Sequence, residues 1–144
     1  MQKSIIYTLF LLASFLLLIG CGDRGPKLEP VTGKVTLDGK EISSLTNFKD
    51  GSVTFIPEKG RPSYGIIQPD GTFVMKTDNK PGVPAGSYKV TARLVSTEIT
   101  PSKFNDAPPV MLSAPKYSNE TTSGMTQNIP AGGAKNLVFD LTAK

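Results

Sequence analysis

No histidine occurs among the 144 residues, and this absence narrows the available chemistry more than any residue present. Without an imidazole there is no Ser-His-Asp or Cys-His nucleophile pair, no His-ligated metal and no pH-tuned imidazole base. What remains reactive is sparse. Lys116 lies close in sequence to Ser118 and Ser123, the composition of a Ser-Lys nucleophile pair, but no glycine-rich oxyanion element surrounds either serine. Asp70-Gly71 and Asp78-Asn79 offer carboxylates, but they are far apart and lack the spacing of a calcium loop, so they read as turns and no metal is expected. Sugar platforms present exposed aromatic rings, often Trp. This chain has no Trp, leaving Tyr64 and Tyr117 as the candidate exposed rings. The densest polar cluster runs from Lys116 to Ser123. It reads first as a loop closing one end of a domain with Tyr117 as its anchor, and second as a contact surface for a partner. Tyr64, Lys116 and Tyr117 are therefore the candidate partner-binding residues, with no catalytic residue and no cofactor expected.

Cys21 is the only cysteine, so it has no disulfide partner within the chain. It ends a distinctive segment, in which Lys3 carries the only charge before Ile5 to Ile19 runs without any. That is the charged start and apolar centre of an export signal, and it is short for a membrane span, which needs about 20 apolar residues. Leu18-Ile19-Gly20-Cys21 resembles the lipobox of bacterial lipoproteins, in which a diacylglyceryl group joins the cysteine sulfur and cleavage leaves that cysteine first. The resemblance implies a signal peptide over 1–20, lipidation at Cys21 and a membrane partner held through acyl chains. Each buried methylene contributes about 0.8 kcal/mol, so two or three chains hold far longer than one. Acylation would also remove an exposed thiol from an oxidising compartment. Gly22 follows the cysteine, where in enteric bacteria an Asp retains lipoproteins in the inner membrane; its absence leans towards the outer membrane over the cell membrane.

The elements that must carry these residues follow from spacing. Gly22 to Pro30 has only Leu28 to bury and reads, with Cys21, as a flexible tether over 21–30. From Val31 apolar residues recur at every second position, the period of a strand with one wet face. Val31, Val35 and Leu37 begin this pattern; Val53 and Phe55, Phe73 and Met75, the long row Tyr88, Val90, Ala92 and Leu94, and finally Leu137, Phe139 and Leu141 continue it. Pro69-Asp70-Gly71, Asp38-Gly39, Pro84-Ala85-Gly86 and Pro130 to Gly133 supply turn chemistry between them. Seven short strands result, with no helical period after the signal. The expected domain, 31–144, is an all-β, seven-stranded antiparallel β-sandwich. Ser96 to Gly124, rich in proline, fits no strand and is expected to be a functional or disordered loop. Lys34 and Asn136 fall opposite the apolar rows, in solvent, where an amide crosslink between them would not form. Basic residues exceed acidic ones, 16 to 12, but the lysines are scattered singly, so no nucleic-acid partner is expected.

The order Val31 to Lys40, Val53-Thr-Phe-Ile-Pro57, Pro69-Asp-Gly-Thr-Phe73 and Pro84 to Val90 resembles the carboxypeptidase regulatory-like, transthyretin-like fold. Lys116-Tyr117-Ser118, Thr122-Ser123-Gly124 and Asn136 to Leu141 are further similar to a group of small planctomycete lipoproteins of unassigned role. The resemblance spans nearly all of 31–144 and implies fold much more than function. Enzymatic relatives do not carry over. The hydroxyisourate hydrolases use histidines and a terminal Tyr-Arg-Gly-Ser, whereas this chain ends Leu141-Thr-Ala-Lys144; the intradiol dioxygenases hold iron with two tyrosines and two histidines. Collagen-adhesin B-type domains of similar architecture make the Lys–Asn crosslink weighed above. The expectation is therefore a lipid-anchored, extracytoplasmic, non-catalytic module that binds an envelope protein or serves structurally, with an envelope carbohydrate-binding lipoprotein as the alternative.

Overall fold

A computed structural model describes residues 25–98 and 108–143. Twelve strands occur among them: β1 (Leu28–Glu29), β2 (Val31–Leu37), β3 (Lys40–Glu41), β4 (Phe48–Pro57), β5 (Ser63–Ile66), β6 (Thr72–Val74), β7 (Lys76–Thr77), β8 (Lys80–Pro81), β9 (Val83–Pro84), β10 (Gly86–Ser96), β11 (Met125–Ile129) and β12 (Ala134–Leu141). Single 3-10 turns span Ile42–Ser44 and Pro115–Ser118, and no described helix is long and apolar enough to cross a membrane. Cys21 and the segment before it lie outside the described residues, as does 99–107.

One sheet has six strands in the order β11-β10-β4-β5-β7-β8; in a second, β2 is flanked by β12 on one edge and by β3 and β6 on the opposite edge; β1 and β9 form a separate two-stranded ladder. Their inner faces carry the alternating apolar rows, burying Val35, Val53, Phe55, Phe73, Met75, Val90, Leu94 and Leu141 in one core. Aromatic rings tie the sheets together: Phe139 of β12 meets Phe55 of β4 edge-on at 6.1 Å across the core and stacks on Phe73 of its own sheet at 6.0 Å. Such pairs add about 0.5–1.5 kcal/mol beyond burial. Gly33 belongs to β2 because the Phe73 ring fills its place: a Cβ there would lie 2.5 Å from that ring and 2.6 Å from the Leu137 carbonyl oxygen.

The all-β reading holds, with three corrections. Seven strands become twelve. The seven match β2, β4, β5, β6 with β7, β10, β11 and β12, and every added piece is a two-residue ladder too short to show a period. Thr72 to Thr77 is not one strand, because β6 pairs with β2 in one sheet and β7 with β5 in the other, the chain crossing over at the buried Met75. Nor is the pairing antiparallel throughout: β12 runs parallel to β2, from Ala134 opposite Val31 to Leu141 opposite Leu37. Alternation reveals a strand but not its direction. The Pro130–Gly133 turn returns the chain to the end of the sandwich where β2 starts, and there the Ala134 amide donates to the Pro30 carbonyl at 3.0 Å.

The third correction concerns the tether. Leu28 and Glu29 pair with Pro84 and Val83, and Glu29 is buried with its carboxylate 2.9 Å from Lys27. Gly133 packs so closely that a Cβ there would meet the Pro30 oxygen at 2.1 Å. The sandwich thus begins at Leu28, inside the segment 21–30 read as tether. In the described part of the proline-rich stretch, the chain lies against β10. Ser96 donates its amide to Val110, Leu112 to Leu94, and the buried Ser113 hydroxyl accepts from the Leu94 amide at 3.1 Å.

Candidate functional site

Tyr64 stands on the outer face of β5, paired with Thr54 of β4 and Lys76 of β7. Its neighbours Ser63 and Gly65 point inward, so the alternation that buries them places the Tyr64 ring outside, 37% exposed. The phenol donates a hydrogen bond to the Asn79 side-chain oxygen. Asn79 is placed for this by the Asp78–Asn79 hairpin, where both residues have positive φ, 50° and 65°, as a tight two-residue β-turn requires. The ring is therefore fixed at one edge of a hollow of about 450 Å³ formed with Ile66, Val74, Gln68, Thr72 and Lys76. Ile66 and Val74 are 60% and 52% exposed, which makes this the most apolar exposed patch near a candidate residue.

Lys116 and Tyr117 do not join Tyr64 there. Both sit in the 3-10 turn Pro115–Ser118, which packs beside β10, and the Tyr117 ring is buried at 7% exposure, in contrast to the exposed ring expected. Its hydroxyl lies 3.2 Å from the Thr142 hydroxyl and accepts from the Thr142 amide at 3.4 Å. These contacts, the Thr142 hydroxyl foremost, hold its pKa below that of an ordinary tyrosine. Tyr117 is thus an anchor for its loop, the first of the two readings of this cluster. Lys116 lies over the same ring, with Nζ 4.8 Å from the centroid, and Thr122 donates to its carbonyl. Ser123 is buried and accepts from the Met125 amide at 3.4 Å, so the described contacts of Lys116 and Ser123 are with other groups than each other.

The remaining candidates are occupied by local structure. Asp70 accepts from the Thr72 amide at 2.9 Å and hydroxyl at 2.7 Å, and the hydroxyl contact above all holds its carboxyl below the usual range. Lys34 is bridged at 2.5 Å to Glu41, which lowers the Glu41 pKa in turn, while Asn136 is exposed in the bulge that opens β12. Among the described residues no three His, Cys, Asp or Glu side chains gather as a metal would require.

Two other hollows escaped the sequence reading because they belong to a face and not to a motif. Lys89, Ser87 and Ile56 line one of about 730 Å³ with Thr126, Gln127 and Asn128. Thr54, Thr91 and Arg93 line another of about 440 Å³ with Pro115 and Ser118. The signal that could have found them is the outward half of each alternating row, since Lys89 pairs with Thr126 and Ile56 across three strands. Comparison with protein-family models, curated proteins and solved structures gave no match.

Proposed function

We propose that the chain is an exported lipoprotein, acylated at Cys21 after cleavage of 1–20, that holds a non-catalytic β-sandwich module on the outer side of a cell membrane or outer membrane for binding or structural roles in the envelope. The observation that carries this reading is the sequence Leu18-Ile19-Gly20-Cys21 directly after an uncharged run, with the cysteine unique in the chain. The finer fold assignment, a transthyretin-like, carboxypeptidase regulatory-like sandwich, rests on the turn and core residues quoted above. Support for a non-catalytic role comes from carboxylates such as Asp70 and Asp140, each of which commits its Oδ1 to a nearby backbone amide and a hydroxyl donor. The test is metabolic labelling with radioactive palmitate. The wild-type chain takes up label and floats with membranes, and Cys21→Ala does neither; equal labelling of the variant overturns the reading.

A second reading, an envelope carbohydrate-binding lipoprotein, draws on Tyr64. Its ring is exposed, fixed through Asn79 and flanked by Ile66 and Val74, and apolar sugar faces stack on such surfaces. Saturable binding on a glycan array, lost in Tyr64→Ala with the fold intact, would select this reading over a protein partner.

A further inference from the structure

The charged side chains are segregated along the strands. Turns 58–62, 78–79, 84–86 and 130–133 share one end of the sandwich with the start of β1: Phe55 pairs with Ser63, Tyr88 with Pro57, Gly86 with Ile129 and Leu28 with Pro84. Arg61 reaches Asp78 at 3.0 Å between two of these turns, and Pro26 lines a cleft of about 550 Å³ together with Lys59, Arg61 and Asp78. The chain therefore leaves the domain alongside its basic turns. This end carries Lys27, Lys59, Arg61, Lys80 and Lys135 against Glu29, Glu58 and Asp78, with Lys89 and Glu120 sharing the hollow beside Glu58, and two of those acids are already bridged to Lys27 and Arg61. The opposite end has the reverse balance, with Asp38, Glu41, Asp50, Asp70, Glu98 and Asp140 exposed against Lys34, Lys40, Lys49 and Arg93.

The second observation is the reach of the tether. Because β1 begins at Leu28, only six residues, seven Cα–Cα steps, separate it from Cys21. Fully extended they span at most about 25 Å. The basic end is confined to this distance from the anchor, whereas the acidic end lies a further strand length away, roughly 35 Å for the eleven residues of β10.

We propose that the basic end of the sandwich docks on the anionic phospholipid surface in which the Cys21 acyl chains are anchored, standing the domain upright with its acidic end outward. The proposal rests on the acylation reading and adds an orientation to it. Charge complementarity acts at both ends: headgroup phosphates attract Lys59, Arg61 and Lys80 and repel the cluster around Asp70 and Asp140. Attraction of this kind is worth about fivefold in occupancy for each basic side chain near the surface, and it decays over the Debye length of about 8 Å in physiological salt. Docking leaves the hollow lined by Thr54, Thr91 and Arg93, which lies towards the acidic end, clear of the bilayer and available to a partner.

The chain contains no Trp, so one inserted Trp is a unique optical reporter. Two variants of the full chain, expressed in a bacterial host and purified from its detergent-extracted membranes, would be reconstituted, Ala85→Trp at the basic end and Ser43→Trp at the acidic end, in vesicles carrying a dansyl headgroup acceptor. On vesicles with about a third phosphatidylglycerol, energy transfer from the Ala85→Trp protein should exceed that from Ser43→Trp severalfold. The difference should shrink on pure phosphatidylcholine, in about 1 M salt, where the Debye length is about 3 Å, and in a Lys59→Gln, Arg61→Gln, Lys80→Gln background. A difference unchanged by lipid charge, salt and those substitutions overturns docking while leaving acylation standing. No transfer from either variant on any vesicle overturns the acylation reading, and docking with it.

Discussion

The two ends of the sandwich use charge in opposite ways. At the acidic end the carboxylates are joints of the fold. Asp140 accepts from the Thr36 hydroxyl at 2.7 Å and the Gly39 amide at 2.9 Å, Asp38 accepts from the Ala143 amide at 3.2 Å, and Asp70 closes the Pro69–Gly71 turn. Each contact ties a loop to a strand distant in sequence or fixes a turn. At the basic end the cations project from turns and bridge only nearby acids, Lys27 to Glu29 and Arg61 to Asp78. Of these, Arg61–Asp78 is exposed on both sides, and such pairs contribute little to stability, roughly 0–1 kcal/mol, whereas the Glu29 carboxylate is buried. Negative charge here is spent on local structure, while positive charge is left facing outward where a surface can meet it.

Removing an anchor at the acidic end should give the largest effect. Tyr117→Ala empties a buried ring site and should destabilise by about 3–5 kcal/mol in urea unfolding. Tyr117→Phe, which loses only the Thr142 contacts, should cost about 1 kcal/mol. At the basic end the comparable change is structural and not electrostatic. Gly133 has φ 87° and packs on the Pro30 oxygen, so Gly133→Ala should cost about 1–3 kcal/mol and release β1, seen as faster amide exchange at Leu28 and Glu29.

Titration acts mostly, though not solely, at the acidic end. Glu41, Asp70 and Asp140 have pKa values lowered in the folded state, chiefly by the Lys34 contact, the Thr72 hydroxyl and the Thr36 hydroxyl respectively. A lowered folded pKa means the ionised form is favoured by folding. The stability it adds is present above the ordinary carboxylate range and is lost as pH falls below about 4 and through the folded values. The melting temperature should therefore fall in acid, and an Asp70→Asn, Asp140→Asn double variant should flatten that dependence. Glu29, lowered chiefly by Lys27, contributes in the same direction. The smallest effect belongs to Lys59→Gln with Arg61→Gln, which should stay within about 0.5 kcal/mol of wild type in stability. A larger loss would show that the basic turns are joints too, and would erase the contrast.

Much of the fold was legible in residue order. Alternation from Val31 to Leu37 and from Tyr88 to Leu94, with Asp38-Gly39 and Pro69-Asp70-Gly71 between strands, marked where the main strands run. Less of the site was legible. Tyr64 and Tyr117 are the same residue type in polar surroundings, but one is turned out by its place on β5 and the other is buried by Thr142, a partner 25 residues away. Likewise, the charges of the basic end come from positions 27, 59, 61, 80 and 135, which form no run along the chain.

The sequence by itself determined the local matters: a chain without imidazole chemistry, a single cysteine behind an uncharged segment, and strands punctuated by turns, because side-chain type and a two-residue period act between near neighbours. Tertiary structure alone decided that β12 lies parallel to β2, that Leu28 belongs to the domain and not to the tether, and that positive and negative charge collect at opposite ends. Those outcomes depend on which distant segments share an edge or an end, and pairing across a hundred residues leaves no periodic trace in the chain.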